Sequence, residues 1–227
     1  MPAAPRLSPL GVTLPPLCAA ILIGGAGRRM GRPKHLLEVG GETFIERLAR
    51  VVAAVVPEPQ FLGEGVVPAS LAGHSRVADL PGVGGPLAGL LAAFQMRPDA
   101  AWLAIACDQP LLSVEALEWL VTKRSAAAVA VLPRISADRI EPFPGIYEPV
   151  CRAALQALAG DRDGVRAGSL QRLAALAGVL TPEVPHSLAS AFFGVNTLQD
   201  LQRLAAGTAG AQSPYPVQSK KSERSGE

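Results

Sequence analysis

The feature that most constrains the fold of this chain is an alternation of short apolar runs with segments of helical periodicity. Residues 17–23 and 102–106 are continuous apolar runs, a pattern typical of strands buried on both faces. Thr43 and Glu46 form a capping box at the start of one helical pattern, and Pro86 suits the first turn of another. Strands that alternate with helices predict an α/β sandwich with a mostly parallel central sheet.

The remaining segments continue this alternation. Ser113 is suited to cap a helix that runs to about residue 123, and Thr197 with Asp200 is suited to cap the last helix. We expect strands at residues 60–62 and 126–132, helices at 149–158 and 170–176, and a glycine- and proline-rich connection without an assigned structure at 63–85. In such a fold, ligands bind beyond the carboxyl ends of the strands.

Composition bounds the domain organisation. Of the 227 residues, 49% are hydrophobic and 18% are charged, which suffices for one large core. We predict a single domain over residues 17–206, with a disordered extension at 1–16 and a disordered tail at 207–227, because both ends lack apolar periodicity.

Charge and cysteine content exclude several classes of protein. A net charge of +2 argues against a nucleic-acid partner, which would call for a basic surface. The apolar stretch at 14–26 is too short to span a membrane and is interrupted by two prolines, so no membrane partner is expected. Three widely spaced cysteines indicate neither a disulfide framework nor a metal site, and they favour the cytoplasm.

A glycine-rich segment follows the first predicted strand and is suited to bind phosphate. Residues 24–34 read GGAGRRMGRPK, in which glycines let backbone N–H groups approach an anion, while Arg28 and Lys34 supply positive charge. The segment matches neither the dinucleotide fingerprint nor the P-loop. A simple turn with solvated arginines remains the alternative on these residues alone.

Two further positions lie where an α/β enzyme would need them. Asp108 ends a buried strand, where a carboxylate can hold Mg²⁺, although an aspartate that caps the loop before Pro110 is an equal alternative. Asp79 begins a glycine loop that leads into a helix amino terminus, which can bind a phosphate or a base carbonyl. Cys107 has no recognisable triad partner and is interpreted as a core cysteine.

These motifs together resemble the molybdenum cofactor guanylyltransferase family. The family pattern L-x-G-G-x-x-x-R-M-G-x-x-K covers Leu22 to Lys34, and it is followed by G-P-L-A-G at 85–89, C-D-x-P at 107–110 and N-T-x-x-D-L at 196–201. The order and spacing also match, and the resemblance spans about residues 17–206. It implies a three-layer, Rossmann-like nucleotidyltransferase fold.

The resemblance implies that GMP is transferred from GTP to the terminal phosphate of molybdopterin that carries molybdenum, with Mg²⁺ as cofactor and transient contact with molybdoenzymes or cofactor carriers. Lys34, Asp108 and Arg29 would be the catalytic residues, with Arg28 ranked after Arg29, and Asp108 would also bind the metal. The nucleotide would be bound by Leu22, Ile23, Gly24, Gly25, Lys34, Asp79 and Asp108.

The chain also departs from the family pattern. Gly194 stands where the family's N-x-N-T segment begins, and Glu141 stands where the family often has Gln or His before Pro. The alternatives are a molybdopterin cytidylyltransferase, another small-molecule nucleotidyltransferase such as one acting on sugar phosphates, and a GTP-binding adaptor that delivers the cofactor without catalysis. Gly24-Gly25 favours guanine, because the cytidylyltransferase loop more typically reads A-A-G.

Overall fold

The structure is a computed structural model that describes residues 13–23, 33–160 and 169–207. Its strands are β1 (Leu17–Leu22), β2 (Glu38–Val39), β3 (Glu42–Thr43), β4 (Gln60–Leu62), β5 (Arg76–Val77), β6 (Ala101–Ala106), β7 (Ala130–Val131), β8 (Arg134–Ser136), β9 (Arg139–Ile140), β10 (Gly145–Tyr147) and β11 (Val179–Leu180). Its α-helices are α1 (Phe44–Ala53), α2 (Pro86–Met96), α3 (Val114–Thr122), α4 (Cys151–Gly160) and α5 (Leu198–Ala205). Short 3-10 helices cover Lys34–Leu36, Ala69–Leu71, Ser169–Ala175 and His186–Phe192.

The central sheet has seven strands in the order β11-β7-β10-β6-β1-β4-β5. β1 pairs in parallel with β4 and β6, β4 pairs in parallel with β5, and β7 pairs in parallel with β11. β10 is antiparallel to both β6 and β7, so these two strands run in the same direction. The carboxyl ends of six strands therefore meet at one edge of the sheet, and the predicted mostly parallel sheet is confirmed.

Side chains from alternate positions of β1 enter two separate cores, one on each face of the sheet. Ile21 packs in a cluster with buried residues of α1 and α3, whereas Leu22 packs in a cluster with buried residues of α2 and α4. This alternation follows from the two-residue period of a strand. The helices thus form an outer layer on each face, and the three-layer α/β prediction is confirmed.

Several local predictions are also confirmed. Both capping boxes form, at Thr43 with Glu46 and at Thr197 with Asp200, and Pro86 lies in the first turn of α2.

Two predicted elements differ in the structure. The strand predicted at 126–132 was too long, because residues before β7 form a turn in which Ala128 N–H donates to Ser125 O. The segment predicted as a helix at 170–176 is the 3-10 helix Ser169–Ala175. In the described residues, no helix has the length and apolar character needed to cross a membrane.

Candidate active site

Lys34 follows the glycine-rich segment and lies in a short, anchored 3-10 helix. The helix is closed by Leu37 N–H, which donates to Lys34 O at 3.1 Å. The next residue, His35, is buried and its Nε2 lies 2.8 Å from the carbonyl oxygen of Val66. Because a carbonyl only accepts, His35 donates through Nε2 and fixes the turn from which the Lys34 side chain extends.

Asp108 follows β6 by two residues, at the edge where the parallel strands end. Its backbone carbonyl accepts a hydrogen bond from Val195 N–H at 2.7 Å. This bond holds the segment before α5 against the end of β6, although the two are far apart in the sequence. Asn196 is thereby brought to the same edge as Asp108.

The side chains of Lys34, Asp108 and Asn196 converge at this edge. Lys34 Nζ lies 3.2 Å from Asp108 Oδ2 and 2.6 Å from Asn196 Oδ1. The side chains of the ion pair are 27% and 24% exposed, so the group is shielded but open to a ligand. A carboxylate oxygen and an amide oxygen together hold one positive charge.

The two oxygens that hold the Lys34 ammonium are also suited to a hard divalent cation. Mg²⁺ prefers oxygen ligands and commonly takes only one or two from the protein, with water and substrate phosphates as the rest. Within the described ranges, no group of three or more His, Cys, Asp or Glu could hold a metal ion. Asp108 and Asn196 supply two oxygen ligands, and this donor set fits a cation whose other ligands are water or phosphate oxygens.

Asp79 lies on the other side of β1, beside α2. A Cβ added at Gly89 would come within 3.3 Å of Asp79 Oδ1 and 3.5 Å of Leu22 Cδ2, so glycine leaves room for both side chains. Burial raises the pKa of Asp79, and the nearby charge of Glu64 raises it further. Among the described residues, Asp79 makes no hydrogen bond or ion pair with Lys34 or Asp108.

The other sequence-predicted site residues belong to the end of β1 and to the residues that follow it in the sequence. Leu22 and Ile23 have buried side chains on opposite faces of the sheet, and Ile23 N–H donates to Leu62 O at 2.9 Å. This burial leaves their main chain as the part that can face a ligand. Gly24, Gly25, Arg28 and Arg29 lie outside the described residues.

Cys107 precedes Asp108 but is unsuited to act as a nucleophile. Burial raises the pKa of its thiol to about 12, and the neighbouring charge of Asp108 contributes to the rise. The thiolate is the reactive form of cysteine, so at neutral pH this side chain is inert. The interpretation of Cys107 as a structural cysteine agrees with this environment, although the residue is half-buried and not wholly enclosed.

Sequence reasoning missed three residues near Asp108. Asn196 belongs to a quoted family motif, but no contact with Lys34 was expected. Gln109 is buried and donates through Nε2 to Phe143 O at 2.8 Å. The pKa of Glu141 is raised, mainly by burial and in part by the charge of Asp108, although its partner Arg139 opposes the rise. The signal for Gln109 was its position directly after Asp108 in the sequence. The signal for Glu141 was that a glutamate stands where the family often has Gln or His.

Comparisons with known proteins identify the family to which the chain belongs. A family model described as a MobA-like NTP transferase domain matches residues 19–177. A probable molybdenum cofactor guanylyltransferase from Pelotomaculum thermopropionicum is 38% identical over 137 residues, which are 60% of this chain and 65% of that protein. The chain thus spans slightly less than two thirds of the length of this relative.

Two further similarities extend over most of the chain. A molybdenum cofactor guanylyltransferase from Rhizobium meliloti is 34% identical over 216 residues, which are 88% of this chain and 94% of that protein. The crystal structure of molybdopterin-guanine dinucleotide biosynthesis protein A from Archaeoglobus fulgidus has a TM-score of 0.66 and 25% identity, over 83% of this chain and 96% of that one. Because the family model matches more than half of its residues and the Rhizobium meliloti relative is covered almost completely, the chain belongs to the MobA-like NTP transferase family.

Proposed function

We propose that this chain is a molybdenum cofactor guanylyltransferase, which transfers GMP from GTP to the terminal phosphate of molybdopterin that carries molybdenum. The observation that carries the proposal is the convergence of Lys34, Asp108 and Asn196 at the carboxyl edge of the sheet. The similarity to the Rhizobium meliloti guanylyltransferase over 94% of its length supports the choice of substrates.

The reaction exchanges one phosphoanhydride bond for another. An oxygen of the acceptor phosphate forms a bond to the α-phosphorus of GTP, and the bond to the oxygen that bridges the α- and β-phosphates breaks. Pyrophosphate leaves with that oxygen. The acceptor phosphate is already ionised at neutral pH, so the protein has no proton to remove, and the rate depends on positioning and on charge neutralisation.

Lys34 supplies the fixed positive charge. Its ammonium is held by the side-chain oxygens of Asp108 and Asn196, so Nζ lies at the edge where phosphates would bind. A lysine at this position can donate to the phosphate oxygens that gain charge as pyrophosphate departs. Arg29, and after it Arg28, remain our candidates for a second cation on the triphosphate.

Asp108 and Asn196 are the residues that would hold Mg²⁺, because their oxygens already hold a cation together. When bound, Mg²⁺ supplies charge neutralisation on phosphate oxygens. Asp108 is kept in position through its main chain by the bond from Val195 N–H. Because the main chain is anchored, the side-chain oxygens of Asp108 and Asn196 could bind the cation with little rearrangement of the backbone.

The nucleotide side of the site is assigned to the β1–β4–β5 half of the sheet. The main chain of Leu22 and Ile23, the glycines Gly24 and Gly25, and Asp79 would bind the nucleotide there. A cytidylyltransferase would use the same cation and carboxylate, so the choice of guanine is supported by the named relatives. A non-catalytic adaptor would have less need for Lys34 and Asp108 together.

The delivery step and compartment also belong to the proposal. The product would pass to a molybdoenzyme or to a cofactor carrier by transient contact. Cys18, Cys107 and Cys151 are all free thiols, which supports a reducing compartment such as the cytoplasm.

The proposal is tested by incubating the protein with Mg²⁺, molybdenum-loaded molybdopterin and each of GTP, CTP, ATP and UTP, while pyrophosphate release is measured. Release with GTP alone is expected. A preference for CTP would keep the mechanism and overturn the assignment of the base. GTP binding without pyrophosphate release from any nucleotide would favour the adaptor.

A further inference from the structure

An irregular segment at residues 141–144 lies at the same edge of the sheet as Asp108. The β8–β9 hairpin and this segment connect the carboxyl end of β7 to the start of β10. Because β7 runs in the same direction as β6, and β10 runs opposite to both, this connection emerges where β6 ends. It therefore flanks Asp108 on the side away from β1.

Buried side chains fasten this segment. Gln109, the residue after Asp108, donates to Phe143 O at 2.8 Å, and the Tyr147 hydroxyl donates to Pro142 O at 2.8 Å. Gly145 leaves no room for a side chain, since a Cβ there would collide with the carbonyl oxygen of Pro142. The buried side chains of Gln109 and Tyr147 thus satisfy backbone carbonyls that lie outside the strands of the sheet. These hydrogen bonds hold the segment in one position.

The group that this segment presents is the carboxylate of Glu141. Its main chain is fixed by donation of Glu141 N–H to Pro133 O at 2.9 Å. Arg139 forms an ion pair with Oε1, and each carboxylate oxygen has two lone pairs with which to accept hydrogen bonds. The Glu141 side chain is 16% exposed, so it is held in place and still reaches the surface. The negative charge of Asp108 contributes to raising the pKa of Glu141.

The position of Glu141 in the sheet indicates which substrate it meets. β6 and Asp108 lie in the middle of the strand order, with β1, β4 and β5 on one side and β10 and β7 on the other. Asp79 and Leu22 lie on the first side, which the proposed function assigns to GTP. Glu141 lies on the second side, where it would contact the acceptor substrate and not GTP.

We propose that Glu141 is a specificity residue for the acceptor, with its carboxylate accepting hydrogen bonds from the ring N–H and the amino group at the pyrimidine edge of the pterin. This inference rests on the proposed function. Two adjacent donors on a flat ring match the two oxygens of a carboxylate, as a guanidinium does. Guanine carries the same pair of donors, so the test must separate the acceptor from GTP.

The experiment compares the wild-type protein with Glu141→Leu and Glu141→Gln. KM is measured for molybdenum-loaded molybdopterin at saturating GTP, and KM for GTP is measured at saturating acceptor. Glu58→Gln is the matched control, because Glu58 is exposed and lies just before β4, at the opposite edge of the sheet. Circular dichroism and the Tm of each variant establish that it is folded.

Loss of a hydrogen bond to a charged acceptor predicts that Glu141→Leu raises KM for the acceptor by about tenfold or more. We expect a smaller rise for Glu141→Gln, which keeps one accepting oxygen, and no change in KM for GTP in either variant. Glu58→Gln is expected to behave as wild type. This graded and selective effect would support the proposal, because a merely structural role would not affect one substrate alone.

Three outcomes overturn the inference. An unchanged acceptor KM in a folded, active Glu141→Leu variant would do so while the proposed function stands. A rise in KM for GTP that exceeds the rise in KM for ITP would assign Glu141 to guanine, since the hypoxanthine base of ITP lacks the amino group. A wild-type protein that forms no product with any nucleotide would remove the proposed function, and this inference would fall with it.

Discussion

Asp108→Asn replaces one carboxylate oxygen of the site with an amide and leaves the side-chain volume almost unchanged. The main-chain bond from Val195 N–H to Asp108 O does not involve the side chain, so the backbone around β6 is expected to stay in place. The variant therefore removes charge while keeping shape. Its effect on stability and its effect on catalysis are expected to differ widely.

The stability effect follows from the Lys34–Asp108 pair. At 3.2 Å, the attraction between unit charges is about 5 kcal/mol in an effective dielectric of about 20, before desolvation and entropy are counted. The two side chains are 27% and 24% exposed, and pairs of this kind contribute only about 1 kcal/mol or less. We expect a small change in Tm.

The catalytic effect is expected to be larger. Removal of a group that stabilises charge mainly in the transition state lowers kcat by about 10²- to 10³-fold, equivalent to about 3–4 kcal/mol. We therefore expect Asp108→Asn to reduce kcat by at least about 100-fold, with a much smaller change in the Kd for GTP. Steady-state kinetics and isothermal titration with GTP measure the two quantities separately.

Glu118→Gln is the matched control, because Glu118 is an exposed carboxylate on α3. It is expected to leave kcat, Tm and Kd unchanged. Equal losses of kcat and GTP affinity in Asp108→Asn would refute the assignment of Asp108 to the transition state. A fall in Tm large enough to unfold the protein at the assay temperature would instead mean that the carboxylate is needed for the fold.

Three further predictions concern other residues of the structure. Asn196→Ala removes the oxygen 2.6 Å from Lys34 Nζ, and we expect kcat to fall about tenfold or more with Tm nearly unchanged; wild-type kcat would contradict a role for Asn196. Cys107→Ser is expected to retain activity. Because the pKa of the Cys107 thiol is about 12, about one thiol in ten thousand is ionised at pH 8, and iodoacetamide should modify Cys107 far more slowly than it modifies glutathione. Rapid modification would contradict the burial of this thiol. Arg124 and Glu148 form a doubly hydrogen-bonded ion pair whose side chains are 3% and 4% exposed. Arg124→Met leaves Glu148 buried without this partner, so we expect the free energy of unfolding by urea to fall by about 3–5 kcal/mol and to recover partly in Arg124→Met/Glu148→Met. A loss below about 1 kcal/mol would refute this expectation.

The elements that could be predicted from the sequence are those with strong local signals. β1 and β6 are continuous apolar runs, and the two capping boxes need residues only three positions apart. By contrast, β8, β9 and β10 are two or three residues long, and β10 follows Pro142 and Pro144. Such short strands have no readable period, and their pairing depends on the rest of the sheet.

The candidate site was predictable only in part, for a related reason. Lys34 and Asp108 each carry a motif, so both could be singled out in advance. Their contact joins residues 74 positions apart, and the contact of Lys34 with Asn196 joins residues 162 positions apart. The parallel sheet and the bond between Val195 and Asp108 help to bring them together. The position of the segment at 141–144 likewise depends on distant residues, because Gln109 and Tyr147 hold its carbonyl groups.

The most direct test of the central claim is to identify the product by mass spectrometry after one turnover with GTP, Mg²⁺ and molybdenum-loaded molybdopterin. We expect that the acceptor gains the mass of a GMP unit, that one pyrophosphate is released for each acceptor consumed, and that Asp108→Asn forms the same product far more slowly. An acceptor of unchanged mass, with GTP bound and intact, would contradict the claim that this edge of the sheet transfers a nucleotide.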